Sequence, residues 1–310
     1  MQPEAIAELA TIRDLVRWGA SRFKEAGLFF GHGTDNALDE ALALVLHALH
    51  LDHSLPADYL DARLTKSERA AAVELLAQRY ITRKPAAYLI GTAYFAGLNF
   101  KVTEDVLVPR SPIAELIEEG FTPWLDPDQV SSVLDLCTGS GCIGIACAYA
   151  FPEARVDITD ISPTALAVAR ENIASHGLDD RVEAIQADVW EGLPAGQYDL
   201  IVSNPPYVDA EDMAELPDEY QHEPALGLAA GAEGLDVVSR ILGGAADRLN
   251  PGGILVVEVG RSAGHLMDRY PGVPFLWLDF ERGGGGVFLL TADQLDEHRD
   301  AFFLALAEEE

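Results

Sequence analysis

The chain has 310 residues, 49% of them hydrophobic and 23% charged, enough to build a large core and two domains. Its formal charge is −30 and unevenly placed: residues 1–110 hold 12 basic and 14 acidic side chains, residues 111–310 hold 9 and 37. That acidity repels a phosphate backbone and suits a basic protein partner, so no stable nucleic-acid partner is expected. Cys137, Cys142 and Cys147 have no C-x-x-C spacing, so neither a zinc knuckle nor a disulfide framework is signalled and no metal is expected. Met1-Gln2-Pro3-Glu4 lacks the basic start and apolar run of a signal peptide, and runs such as Ile143–Ala150 are too short to span a membrane. The expectation is a cytoplasmic protein with no membrane partner.

The first 90 residues have a helical pattern, with segments over Pro3–Ala26, Ala37–His50 and Lys66–Tyr80. Leu9, Ile12, Leu15, Val16 and Gly19 recur at helical spacing, and Thr65 with Glu68 three residues on predicts a capping box. Gly27–Asn36, with three glycines, reads as a loop. Residues 94–108 read as a hairpin turning at Thr103-Glu104-Asp105 and ending at Pro109, a link between domains. A helix is predicted from Ser111 to Glu119.

Beyond Gln129, short β-branched runs alternate with helical stretches, the pattern of a sheet with covering helices. Strands are predicted at 132–136, 155–159, 182–186, 200–203, 254–259, 275–279 and 287–291. Helices are predicted at 142–150, 163–176, 235–249, 263–269 and from Ala292 onward. Gly283–Gly286 reads as a hairpin turn. The division is a helical domain over 1–90, a hairpin over 91–110 and an α/β domain over 111–310.

The first of these strands runs into Cys137-Thr138-Gly139-Ser140-Gly141 and then a helix, a loop small enough for a ligand to approach the backbone. Gly139, Gly141 and Gly144 satisfy G-x-G-x-x-G, which fits a dinucleotide or S-adenosylmethionine. Asp160 ends the next strand 21 residues after Gly139, where a carboxylate accepts from ribose hydroxyls. Asp188, Val189 and Trp190 follow the third strand and offer a carboxylate and an apolar shelf to an adenine. Asp135, on an apolar strand, needs an ammonium, backbone amides or water to satisfy it.

The fourth strand ends in Asn204-Pro205-Pro206-Tyr207. Two prolines stiffen the chain and remove two donors. The Asn204 side-chain oxygen and the Pro205 carbonyl are then two acceptors for the two protons of a planar NH2 group, and Tyr207 is expected to add a flat face. A dehydrogenase has no use for that arrangement; an enzyme that methylates a planar nitrogen does. Arg110 is expected at the mouth of the site. Glu223 and His222 fall in Val208–Gly234, which is longer than an ordinary connection and reads as a substrate-facing lid or binding loop.

At Asn204–Tyr207 the sequence resembles the protein-glutamine N5-methyltransferases. The resemblance covers almost the whole chain and is densest at Gly27–Asn36, Val106–Pro112, Leu134–Tyr149 and Asp199–Leu226. It implies a seven-stranded Rossmann-like S-adenosylmethionine-dependent methyltransferase domain behind a small helical bundle and a β-hairpin. It also implies that Asp135, Cys137, Thr138, Gly139, Ser140, Gly141, Asp160, Ile161, Asp188, Val189 and Asn204 hold the methyl donor. Asn204, Pro205, Pro206 and Tyr207 would form the catalytic motif, with Arg110 and Glu223 beside the substrate. Cys137 and Ser111 stand where the release-factor branch carries glycine and proline. Those departures point to the branch acting on large ribosomal subunit protein uL3, and the acidic second part suits meeting it before or during subunit assembly. The same motif also occurs in adenine N6-methyltransferases, against which stands the absence of any lysine after Lys101.

Overall fold

The computed structural model describes residues 2–307. The chain forms two compact units: one comprises the residues up to Ala93 together with Pro217–His222, the other Tyr94–Leu216 and the chain from Glu223.

In the helical unit the first predicted helix is two. α1 (Gln2–Glu8) stops before Thr11, and α2 (Ile12–Glu25) restarts there with a capping box between Thr11 and Asp14. The Asp14 carboxylate accepts from the backbone of Ala10 and Thr11, which gives those amides partners outside an unbroken helix. α3 (Ala37–Ala48) is capped by Asn36, and α4 (Lys66–Thr82) by the expected Thr65–Glu68 box. α5 (Ala86–Ile90) completes the bundle around Leu15, Phe23, Leu44, Val45 and Leu76.

A buried ion network crosses this bundle. Arg79 and Glu40 are both fully buried and paired at 2.6 Å. Arg79 also donates to the carbonyls of Phe29 and Arg83. Glu219, on the segment that returns to this unit, takes the amide of Phe29 at 3.0 Å and Arg83 at 3.0 Å. Tyr220 packs against Phe29 and His32, and the His222 ring meets the Thr82 carbonyl at 2.9 Å. Val208–Gly234, expected as a lid or binding loop, is thus not free along its length, because Pro217–His222 belong to the helical unit.

The hairpin lies earlier than predicted. β1 (Thr92–Phe95) and β2 (Leu98–Lys101) turn at Ala96-Gly97, both at positive φ, as a two-residue hairpin turn requires. Thr103-Glu104-Asp105 instead forms a local turn, in which the Asp105 amide donates to the Thr103 hydroxyl.

The second unit starts with α6 (Ile113–Glu118) and continues β3 (Ser132–Leu136), α7 (Cys142–Ala150), β4 (Arg155–Asp160), α8 (Pro163–His176), β5 (Val182–Gln186) and β6 (Tyr198–Ser203). After α9 (Ala210–Glu215) come α10 (Asp236–Ala245), β7 (Leu249–Glu258), α11 (Ala263–Arg269), β8 (Leu276–Leu278), β9 (Val287–Thr291), α12 (Ala292–Glu297) and α13 (Arg299–Ala307). α10 ends earlier than its apolar pattern suggests because Leu249 joins the sheet, pairing with Tyr198.

All seven predicted strands form one sheet, in the order β5-β4-β3-β6-β7-β9-β8. The first five run parallel, and β9 is antiparallel to both of its neighbours. Alternate residues feed two cores, so the sheet is buried on both faces. Val133, Leu200, Val202, Ile254 and Val256 pack with α6, α7 and α8. Leu134, Leu136, Ile201, Leu255 and Val257 pack with α10 to α13. This is the expected Rossmann-like layer structure. Among the described residues no helix is long and apolar enough to cross a membrane.

Removing Glu40 takes the nearer counter-charge from the buried Arg79 and leaves it Glu219 at 3.6 Å. Glu40→Ala is therefore expected to destabilise the helical unit by about 3 kcal/mol, the low end for a broken buried pair, read as a lowered urea midpoint at unchanged slope.

Candidate active site

The sheet register places the site. In β3, Leu136 pairs with Thr159 of β4 on one side and Ser203 of β6 on the other, and Ser203 pairs with Val257 of β7. One residue further, the chain ends Asp160, Cys137, Asn204 and Glu258 form a row along the carboxyl edge. After β3 the connections lead one way to β4 and β5 and the other way to β6, so this row straddles the switch point where open α/β sheets bind ligands.

A cavity of about 270 Å³ opens on that edge. Its walls are the glycine loop with Cys137, Thr138, Gly139 and Ser140, the β4 end with Asp160 and Ile161, and Ala187 and Val189 after β5. Asn204 and Pro206 line it after β6, and residues of 104–111 and 224–229 close the other side. Cys137, Gly139 and Gly141 all have positive φ, so the loop turns tightly between β3 and α7. Gly141 and Gly144 serve packing. A Cβ on Gly144 would lie 2.3 Å from Ile158, and one on Gly141 would press on Ile158 and Ala169.

Several carboxylates serve the loop itself. Asp135 is fully buried below the cavity and does not line it. Its Oδ2 accepts from the Thr138 hydroxyl and from the Gly144 amide at 2.9 Å, while Oδ1 has no partner. Burial, opposed by those two hydrogen bonds, raises its pKa to about 7. Asp160 does line the cavity; Oδ2 accepts from the Gly139 amide and Oδ1 from the Ser162 amide, both at 2.9 Å. Each oxygen keeps a lone pair for a diol. Burial raises the Asp160 pKa, with the amides working against it. Asn172 of α8, which carries no signal of its own in the sequence, donates to the Ser140 carbonyl at 2.8 Å and pins the loop.

Other expected residues sit differently. The Asp188 carboxylate is not in the cavity wall; it pairs with Arg240 at 2.8 Å, leaving Val189 to face the cavity. Trp190 packs against the second core and donates to the Arg240 carbonyl. Burial raises the Cys137 thiol far above its ordinary range, so it lines the cavity as a neutral group. Arg110 lines the cavity, but its guanidinium is held by Glu223 in two contacts of 2.6 and 2.7 Å. Glu223 is buried and also takes the Val108 amide. This pair ties the two loops on the open side of the cavity to each other.

At the motif, Pro205 is buried and Asn204 half-buried. The Asn204 Oδ1 atom is buried in the cavity wall without a hydrogen-bond partner. Among the described residues no donor of the backbone network reaches the Pro205 carbonyl. Tyr207 does not line the cavity. Its hydroxyl donates to Glu258 at 2.9 Å and braces the motif, and its ring, expected as a flat face, lies outside the cavity wall. Sequence reasoning misses Glu258, although a single acid in the apolar run 254–259 carries the same signal as Asp135 on β3. Among the described residues no three His, Cys, Asp or Glu side chains are gathered as for a metal.

A sheet of this order, with a glycine loop and an acidic strand end at its switch point and an orphaned carboxamide oxygen beside them, fits the class of S-adenosylmethionine-dependent methyltransferases, and the family matches place the chain there. Residues 121–217 match the methyltransferase small domain, and residues 14–91 match the PrmC N-terminal domain. A ribosomal protein uL3 glutamine methyltransferase of Francisella tularensis subsp. tularensis is 48% identical over 97% of this chain and 96% of its own. Those of Neisseria gonorrhoeae and Neisseria meningitidis serogroup B are 51% and 50% identical over 94% of this chain, covering 98% and 96% of theirs. Among solved structures, a methyltransferase from Pyrococcus furiosus aligns with 20% identity and a TM-score of 0.46, over 63% of this chain and 89% of its own. The chain belongs to the protein-glutamine methyltransferase family of these three relatives.

The folded chain binds a proton at Asp135 that the unfolded chain, with an ordinary pKa of 3.8, releases earlier. The resulting stability is complete below 3.8 and lost as pH rises through about 7. The difference in Tm between the wild type and Asp135→Asn, which cannot titrate, is expected to move steadily against the wild type across that window and level off above it.

Proposed function

We propose that this enzyme transfers a methyl group from S-adenosylmethionine to the side-chain amide nitrogen of a glutamine in ribosomal protein uL3. The substrate rests on the relatives' activity; the chemistry rests on one observation, the unpartnered Asn204 Oδ1 in the cavity wall. A buried acceptor left unpaired costs about 1–3 kcal/mol, so the site favours a ligand that brings a donor.

Bound S-adenosylmethionine supplies a sulfonium-activated methyl group. Thr138, Gly139 and Ser140 would hold its methionine part, Asp160 its ribose, and Val189 with Ala187 and Ile161 its adenine. A carboxamide nitrogen is a poor nucleophile because its lone pair is delocalised into the carbonyl. In the proposed pose Asn204 Oδ1 accepts one N–H and the Pro205 carbonyl the other, orienting the nitrogen as its bond to the methyl carbon forms and the carbon–sulfur bond breaks. The extra proton then leaves to water. Positioning of this kind is worth up to about 7–11 kcal/mol in favourable intramolecular cases, so the scheme needs no strong base.

The Arg110–Glu223 pair sets the shape of the open side of the cavity. We assign to Arg110 a place beside the incoming chain, in the geometry that Glu223 imposes on it. Selection of the partner falls to the helical unit, since the catalytic edge alone recognises only a carboxamide. The excess of acid after residue 110 suits a basic ribosomal protein caught in the cytoplasm before its RNA covers it.

Incubation of the enzyme and S-adenosylmethionine with free uL3, then peptide mapping, is expected to find one methyl group on one glutamine. A release factor in parallel should stay unmodified; methylation of the release factor alone would overturn the substrate. Asn204→Ala is expected to lower kcat by about 100-fold or more while calorimetric affinity for the methyl donor changes little. Asp160→Ala should do the reverse, weakening methyl-donor binding by about 10- to 100-fold through loss of hydrogen bonds to a charged group.

A further inference from the structure

Glu258 closes β7 in the same row as Asn204, because Val257 pairs with Ser203 in the β6–β7 ladder. It is 6% exposed and does not line the cavity. An ionisable group in such a place is costly unless its oxygens are satisfied. Both are: Oε1 accepts from the Tyr207 hydroxyl at 2.9 Å, and Oε2 from the Ser111 hydroxyl at 2.6 Å.

The rest of Tyr207 is held as firmly. Ser262 donates its hydroxyl to the Tyr207 carbonyl at 2.7 Å. Gly260 leaves room for the ring, since a Cβ there would lie 2.6 Å from it, and a Cβ on Gly234 would lie 2.2 Å from the Tyr207 carbonyl oxygen. The residue is therefore fixed at one end by its backbone contacts and at the other by the Glu258 carboxylate. Between Tyr207 and the strand end lie only Pro205 and Pro206 after Asn204, and their fixed φ leaves the turn few ways to relax independently.

We propose that Glu258 is a positioning residue for methyl transfer: by holding the Tyr207 hydroxyl it fixes the Asn204-Pro205-Pro206 turn, and so the two acceptors that orient the glutamine nitrogen. The proposal rests on the glutamine reading above. Ser111 completes the clamp from the chain that leaves the hairpin, so Glu258 registers that chain and the motif against one strand end. Glu258→Gln keeps one acceptor oxygen and puts N–H groups on the other side, so the two hydroxyls can no longer both donate. One of them must reverse to accept at altered geometry, and a shift of an ångström at the turn costs about 100-fold in rate.

The test is steady-state kinetics of the full-length enzyme on free uL3, with calorimetry for S-adenosylmethionine, for Glu258→Gln, Tyr207→Phe and the double variant. Each single change is expected to lower kcat by about 10- to 100-fold, with methyl-donor affinity held within about 2-fold. The double variant should be no slower than the slower single, since both remove the same link. Unchanged kcat in Glu258→Gln, losses that multiply in the double variant, or methyl-donor affinity falling in step with kcat would each overturn the proposal. Should Glu258→Gln fail to fold, Tyr207→Phe removes only the hydroxyl, and full activity in that variant would equally overturn the role of Glu258. A wild type that leaves uL3 unmodified refutes the substrate reading instead; an active wild type with indifferent variants refutes only the role of Glu258.

Discussion

The parallel pairing of β3 with β6 is the constraint on which the site depends. Leu136 and Ser203 are 67 residues apart in the chain, and their register brings the glycine loop and the Asn-Pro-Pro-Tyr turn out of the sheet side by side. A slip of one residue would send the side chains of the slipped strand to the wrong cores and move Asn204 out of line with Cys137. The two hydrophobic cores that prevent that slip therefore also set the catalytic geometry.

Charge is used differently in the two units. In the helical bundle Arg79, Glu40 and Glu219 satisfy one another in the core, so three ions are buried as a network. On the carboxyl edge of the sheet, Asp135, Asp160 and Glu258 are held by hydroxyls and backbone amides, beside the ion pairs Arg110–Glu223 and Asp188–Arg240. Those acceptors hold a loop or turn whose remaining atoms face the cavity. Burial raises all three pKa values, as expected where the charged form is kept from water by the packing that holds it in place.

Family and chemistry are legible in the sequence because they live in short contiguous segments. Cys137–Gly141, Asp160 and Asn204–Tyr207 each state their purpose through local backbone chemistry: small residues for close approach, an acid at a strand end, prolines beside an amide. The seven strands can be read from β-branched runs. The break between α1 and α2 cannot, because the apolar spacing continues across Thr11 while the Asp14 carboxylate captures the amides there. Polar composition points to 103–105 for the hairpin turn, yet Ala96-Gly97 makes it, since two positive φ angles matter more than polarity.

What is legible in the amino-acid order is which groups the protein can offer: a glycine loop, an acid at a strand end, a proline-stiffened pair of acceptors and an acidic second half. What each group is free to do depends on contacts made across the fold. Arg110 and Glu223 look like two independent contacts in sequence, but meet in space and occupy each other. Tyr207 looks like a shelf and is tied to Glu258; Asp188 looks like an adenine ligand and is paired with Arg240. The physical reason is that a polar side chain's role depends on which partners reach it first. Those partners come from residues 51 to 113 positions away, through a sheet register that no local pattern encodes.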